Sequence, residues 1–167
     1  SGASGTPGGA TGPAGSAGAT GTGPAAGGTG PAIGGAASGQ GLAAPPGGNG
    51  GATDVGVTAT EIDLGNVATL GGPVPGLFAG ALNGAQAFAA YQNSLGGVFG
   101  RKLVIKSKDD GLDAGQNKAA VDALIPNVFG FLGSFSIHDE AGADDMQAAG
   151  TPDVGYSLSV ARGKICL

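Results

Sequence analysis

Gly96-Gly97-Val98-Phe99-Gly100-Arg101-Lys102-Leu103 runs straight into Val104-Ile105-Lys106-Ser107-Lys108-Asp109-Asp110-Gly111. A helical pattern stops on paired glycines, the residue type that closes helices in the left-handed conformation. A tight turn follows. Then Leu103, Ile105 and Ser107 alternate with Lys102, Val104, Lys106 and Lys108 before the chain reaches an acidic corner. The alternation predicts an outer strand with one partly solvated face.

Working outward, the same alternation of helix and strand signals repeats. Ile62 to Ala68 reads as a first strand with Ile62, Leu64 and Val67 as its apolar content. Thr69 to Pro75 is a loop, because two glycines and two prolines oppose regular structure. From about Gly76 to Ser94, Phe78, Leu82, Ala85, Phe88, Ala89 and Gln92 keep helical spacing. Asp113 to Ile125 predicts a second helix, and the continuous apolar run Val128 to Gly133 reads as a buried parallel strand. Asp139 to Ala149 gives a weaker helix, and Asp153 to Ser159 a fourth strand. Strands and helices in strict alternation imply an α/β fold, an open doubly wound parallel sheet with right-handed crossovers. Ligands of such sheets sit beyond the carboxyl ends of the strands. Those ends are Ala68–Gly72, Asp109–Gly111, Ser134–Ser136 and Ser157–Ser159.

Composition divides the 167 residues at Asp54. Residues 1–53 hold 20 of the 38 glycines, no charged residue and no aromatic, with Ile33 and Leu42 as the only large aliphatics. Such a segment buries too little apolar surface to offset its ordering entropy, which predicts a disordered Gly/Ala/Pro-rich linker. Glycines at 12, 15, 18 and 21 keep a period of three, but Pro24 and the doublets Gly27-Gly28 and Gly34-Gly35 break it. A collagen helix accepts only glycine at its axis, so the expectation is a flexible tether with an end-to-end distance of about 40 Å. Residues 54–167 then form the folding unit and carry the whole net charge of −5. That acidic balance and the scattered basic residues argue against nucleic acid as a partner. No apolar run approaches the roughly 20 residues that span a bilayer. The lone Cys166 permits no internal disulfide.

The block from Gly96 to Gly111, with its neighbours from about Gly56 to Ser159, resembles the first lobe of the type I periplasmic binding proteins. Within that fold it is similar to the branched-chain amino acid (Leu/Ile/Val) binding family of ABC transporters. The resemblance implies an extracytoplasmic solute receptor with no catalytic activity and no cofactor. Its solute is a small molecule such as an amino acid or amide, and its partner an ABC permease in the membrane. It implies the periplasm or cell envelope as the location, and a lipid anchor is compatible with that. A ligand-sensing receptor ectodomain, or a surface segment without ligand binding, is the alternative.

In relatives, Ser/Thr hydroxyls and backbone amides of the loops after the third and fourth strands grip the ligand zwitterion. The resemblance therefore assigns ligand contacts to Ser134, Ser136, Ser157 and Ser159. Serine suits the task because it donates to a carboxylate and accepts from an ammonium. The same side chain also caps helices and finishes turns, the other reading of all four. Relatives place an aromatic in the loop after the first strand. Counting from Gly72-Pro73, that position falls at or beside Leu77, with Phe78 next, so Gly72 and Leu77 complete the expected set. The relatives run to well over twice the length of residues 54–167 and close two lobes on their ligand. The expectation is thus a tether and a truncated first lobe with exposed apolar surface, binding amino acids weakly or not at all by itself.

Other chemistry finds little support. Asp109, Asp110 and Asp113 offer oxygen ligands for a hard cation, but Asp113 is placed to cap the second helix and the other two to order the turn. A phosphoacceptor Asp is missing from the end of the third strand, which is Gly133-Ser134. His138, Asp139 and Glu140 are adjacent and diverge on a helix, and the two acids are expected to complement its positive start. Neither a G-x-S-x-G elbow nor a glycine-rich phosphate loop with Lys-Ser/Thr occurs.

Overall fold

Every strand of the sheet points the same way, in the order β2-β1-β3-β4. The computed structural model describes residues 42–164. Of the linker expected over residues 1–53, positions 1–41 lie outside the described residues, as does Cys166. β1 (Glu61–Ala68) and β2 (Lys102–Asp109) pair in parallel along their whole eight-residue lengths, from Glu61 opposite Lys102 to Ala68 opposite Asp109. β3 (Gly130–Leu132) pairs with the other side of β1, and β4 (Asp153–Val154) with β3. The helices are α1 (Ala79–Ser94), α2 (Ala114–Leu124), α3 (Ala143–Ala149) and α4 (Val160–Gly163). Among the described residues no helix is long and apolar enough to cross a membrane.

The period of two along β1 sends its side chains alternately to the two faces. Val67 joins Phe131, Val121, Leu124, Val128 and Met146 in a core under α2 and α3. Each such buried side chain contributes roughly 1.5–3 kcal/mol. Gly65 belongs to the same face, where an added Cβ would come within 2.9 Å of the Phe131 ring. The buried residues of α1 are small, Ala85 and Ala89, and an added Cβ on Gly133 of the loop after β3 would meet Ala85 at 3.4 Å.

β2 is the outer strand that the alternation predicts, and Asn93 of α1 finishes it. The Asn93 side-chain amide accepts from Leu103 N–H at 2.8 Å and donates to Leu103 C=O at 2.9 Å. Gly96 and Gly97 close α1 with positive φ, and at Gly97 a Cβ would collide with the Arg101 carbonyl at 2.0 Å. Asp113 caps α2 as expected, accepting from Gln116 N–H at 2.8 Å.

Several boundaries differ from the sequence reading. α1 begins at Ala79, three residues late, because Gly76 N–H bonds back to Leu70 C=O and holds the loop as a turn. β3 is shorter than the apolar run Val128–Gly133, since the 3₁₀ turn Ile125–Asn127 precedes it and Gly133 takes positive φ. β4 stops at Val154, so Ser157–Ser159 are not a strand end. α3 starts at Ala143 instead of Asp139, and β4 is fastened to α4 by a buried, bidentate Asp153–Arg162 pair at 2.7 and 2.9 Å.

Residues 42–53, which the composition reading places in the linker, are bound to the amino ends of β1 and β2. Phe99 N–H donates to Leu42 C=O at 2.7 Å, and Asn49 Nδ2 donates to Ala59 C=O at 2.8 Å. Arg101, 4 % exposed, donates Nε to Thr58 C=O and Nη2 to the carbonyls of Asn49 and Gly51. A planar guanidinium reaches carbonyls in two directions at once, which a lysine ammonium on a flexible stem does not reproduce. Arg101→Lys is therefore expected to raise amide exchange selectively over residues 42–53 and to lower stability by about 2–4 kcal/mol. Hydrogen exchange read by mass spectrometry checks this, and unchanged protection of that segment would refute it.

Candidate functional site at the carboxyl ends of the strands

The acidic corner of the sequence supplies the anchor of the site. Asp110 is completely buried. Its Oδ1 accepts from the Thr69 hydroxyl at 2.8 Å and from Leu112 N–H at 3.1 Å. Its Oδ2 accepts from Asn117 Nδ2 of α2 at 3.1 Å, and the Ser136 hydroxyl is a further donor. One carboxylate thus joins the end of β1, its own strand end, α2 and the loop after β3. Desolvation pushes the Asp110 carboxyl up, but the bonds from Ser136, Asn117, Thr69 and Leu112 together outweigh it and hold it below its ordinary value.

Asp109 secures the neighbouring loop. Its Oδ1 accepts from Gly111 N–H and Leu70 N–H, both at 2.9 Å. The Gly111 bond is the main cause that lowers its pKa, opposed by some desolvation and helped by the Leu70 and Gly71 amides. Gly72 lies against this corner with φ +79°, and an added Cβ would stand 2.1 Å from the Gly111 carbonyl. With Asp113 capping α2, all three acids of the motif are occupied by backbone or side-chain donors. Among the described residues no group of three His, Cys, Asp or Glu side chains is placed to hold a metal.

Six residues were assigned to ligand contact, and the structure brings them together unequally. Ser134 is buried, its Oγ accepting from Val67 N–H at 3.0 Å. Ser136 is buried too, accepting from His138 N–H at 3.0 Å while it serves Asp110. Both hydroxyls are engaged inside the lobe. Ser159 caps α4, accepting from Arg162 N–H at 3.2 Å, and Ser157 Oγ donates to Ser159 C=O at 2.6 Å. Leu77 is 42 % exposed, and Gly72 lies in the same loop as Leu77.

Two features escaped the sequence reading. Asp139 does not start a helix: its Oδ2 accepts from Leu158 N–H at 2.7 Å and from Ser159 N–H at 3.4 Å, so it fixes the serine loop after β4. The second is an aromatic row. Phe78 packs edge-on to Phe135 with centroids 4.4 Å apart, and Phe135 lies 5.8 Å from the ring of Tyr156, which is 67 % exposed. The loops beneath are joined by backbone bonds, Thr69 N–H to Phe135 C=O at 3.3 Å and Phe78 N–H to Thr69 C=O at 3.0 Å. Phe135 stands between the two serines singled out in the sequence, and its aromatic character was the available signal.

A parallel α/β lobe with loops gathered at the carboxyl ends of its strands defines the class of open-sheet binding lobes. A family model described as "Periplasmic binding protein" matches residues 61–166. The chain belongs to this family. It is similar to the crystal structure of a protein described as a branched-chain amino acid ABC transporter from Rhodospirillum rubrum, at 26 % identity and TM-score 0.57 over 64 % of this chain and 32 % of that one. It shares the fold of the fatty acid ABC transporter substrate-binding protein from Thermomonospora curvata, at 24 % identity and TM-score 0.57 over 70 % of this chain and 29 % of that one. The chain spans about a third of the length of these structures. A search of curated proteins gives no match.

Removing the anchor should loosen all of its clients. Asp110→Ala leaves the Thr69 hydroxyl, the Asn117 amide and Leu112 N–H without their acceptor, an expected loss of about 2–4 kcal/mol in urea unfolding. Because the folded pKa values of Asp109 and Asp110 are depressed, their stabilisation is complete above the ordinary value of 3.8 and is lost as pH falls below it. Acid destabilisation should accordingly be shallower in Asp110→Ala than in the parent chain, and equal slopes would contradict the assignment.

Proposed function

We propose that this chain is the first lobe of an extracytoplasmic solute-binding component of an ABC importer. It takes a small polar solute, an amino acid or amide, at the carboxyl ends of its strands, and its partner is a membrane permease. Transport and delivery belong to the complete receptor, and the lobe contributes one wall of the solute site. It acts by binding and not by catalysis. Membership of the periplasmic binding protein family supports an extracytoplasmic location, and a lipid anchor upstream is part of the proposal.

The aromatic row Phe78–Phe135–Tyr156 carries this reading. It gives an apolar surface at the pole where open parallel sheets bind their ligands. Of the six assigned contacts, Gly72, Leu77, Ser157 and Ser159 stand around it, while the buried Ser134 and Ser136 act through the loop that presents Phe135. Aromatic faces beside serine hydroxyls suit a solute with a polar head and an apolar side chain.

The test is an amide NMR titration of the chain with leucine and, separately, with glutamine. A single lobe should bind in the millimolar range, on the order of −4 kcal/mol, with shifts confined to 70–78, 135–136 and 156–159. Leucine should bind more tightly than glutamine, and Tyr156→Ala should erase that preference. Absence of shifts at these positions with both solutes refutes the site. Micromolar affinity would refute the division of binding between two lobes.

A further inference from the structure

The opposite pole of the sheet has a cavity of its own. It opens beside the amino ends of β3 and β4, with a volume of about 410 Å³, within the roughly 300–1,000 Å³ of small-molecule sites. Val55, Ile125, Pro126, Val128, Phe129 and Pro152 give it apolar walls. Asp54 is its charged lining residue, and Ala149, Gly150 and Thr151 complete the lining.

This wall is pre-formed. The turn from Asp54 to Val57, closed by Val57 N–H to Asp54 C=O at 3.1 Å, is pressed onto the start of β3. Gly56 has φ +67°, and a Cβ there would stand 2.3 Å from Phe129 N. Asp63 N–H bonds to Gly56 C=O at 2.7 Å, and Phe129 N–H to Asp63 C=O at 2.8 Å. Asp54 and Phe129 are thereby held on a common frame.

The electrostatics of the cavity have one sign. The Asp54 carboxylate accepts from Val55 N–H at 2.7 Å, and none of the ion pairs among the described residues includes it. The cavity also lies where α2 runs out through Ile125 and Pro126, and where α3 ends at Ala149 and Gly150. Helix carboxyl ends carry partial negative charge and favour cations. Neither helix has a basic residue in its last turn. Phe129, 41 % exposed, adds an aromatic face that attracts cations as well.

We propose that this cavity is a second binding site, for a small organic cation: an ammonium group on an apolar body. The ammonium pairs with Asp54 and the helix carboxyl ends, and the body lies against Val128, Phe129 and Pro152. The site is independent of the solute reading at the other pole.

Phenethylammonium and its neutral counterpart 2-phenylethanol, titrated into the 167-residue chain and followed by amide NMR, test the proposal. The cation should shift Val55, Phe129, Gly150 and Thr151 and the alcohol should not, and added salt should weaken the response. Asp54→Asn keeps an oxygen to accept from Val55 N–H, so the turn survives while cation affinity falls roughly tenfold, the usual loss for a charged hydrogen bond. Phe129→Leu keeps the wall apolar and should also weaken the cation. Equal responses to cation and alcohol, an unchanged affinity in Asp54→Asn, or shifts only at 69–78 and 135–136 would each overturn the site. Should Asp54→Asn fail to fold, the comparison of cation with alcohol in the parent chain decides.

Discussion

The buried Asp110 carboxylate is the constraint on which the carboxyl pole depends. A charge withdrawn from water is costly unless it is answered by donors, and here Thr69, Leu112, Asn117 and Ser136 answer it. These donors come from Thr69 just after β1, from the corner after β2, from α2 and from the loop after β3. Each must be in place for the charge to be tolerated, so the carboxylate converts a general tendency to collapse into one arrangement of loops. Asp109 does the same on a smaller scale for Leu70 and Gly111. Gly72 can pass so close to the Gly111 carbonyl only because it has no side chain to intervene.

Much of this was legible in the sequence because its signals are local. The β1 and β2 patterns, the paired glycines after α1 and the Asp113 cap each depend on neighbours a few positions away. The parallel class follows from their order. What was not legible depends on distant partners. Asp139 reads as a helix-start acid, yet its partners Leu158 and Ser159 lie about twenty residues on. Ser134 and Ser136 read as ligand hydroxyls because strand-end serines serve both binding and turn closure, and composition does not say which demand is met first. Val67 N–H and Asp110 claim them in the folded chain. Arg101 read as one of a few scattered basic residues, whereas its partners are carbonyls of Asn49, Gly51 and Thr58. Nothing in the charge-free composition around Asn49 announces that contact.

The two poles of the lobe differ in how they handle charge, and this bears on what each can recognise. From Leu64 to Gly100 the sequence contains no charged residue, so β1 beyond Asp63, its following loop and all of α1 are neutral. The acids that do reach the carboxyl pole, Asp109, Asp110 and Asp139, are committed to backbone amides and to hydroxyl or amide side chains. In the proposed receptor, a solute at this pole would meet aromatic surface, serine hydroxyls and backbone dipoles. Its charged groups would be matched there by the Ser157 and Ser159 hydroxyls and by main-chain N–H and C=O, whose alignment depends on loops that Asp110 ties together. In the proposed receptor, solute preference at this lobe is therefore set by the buried hydrogen-bond network beneath the loops at least as much as by the side chains that line the surface.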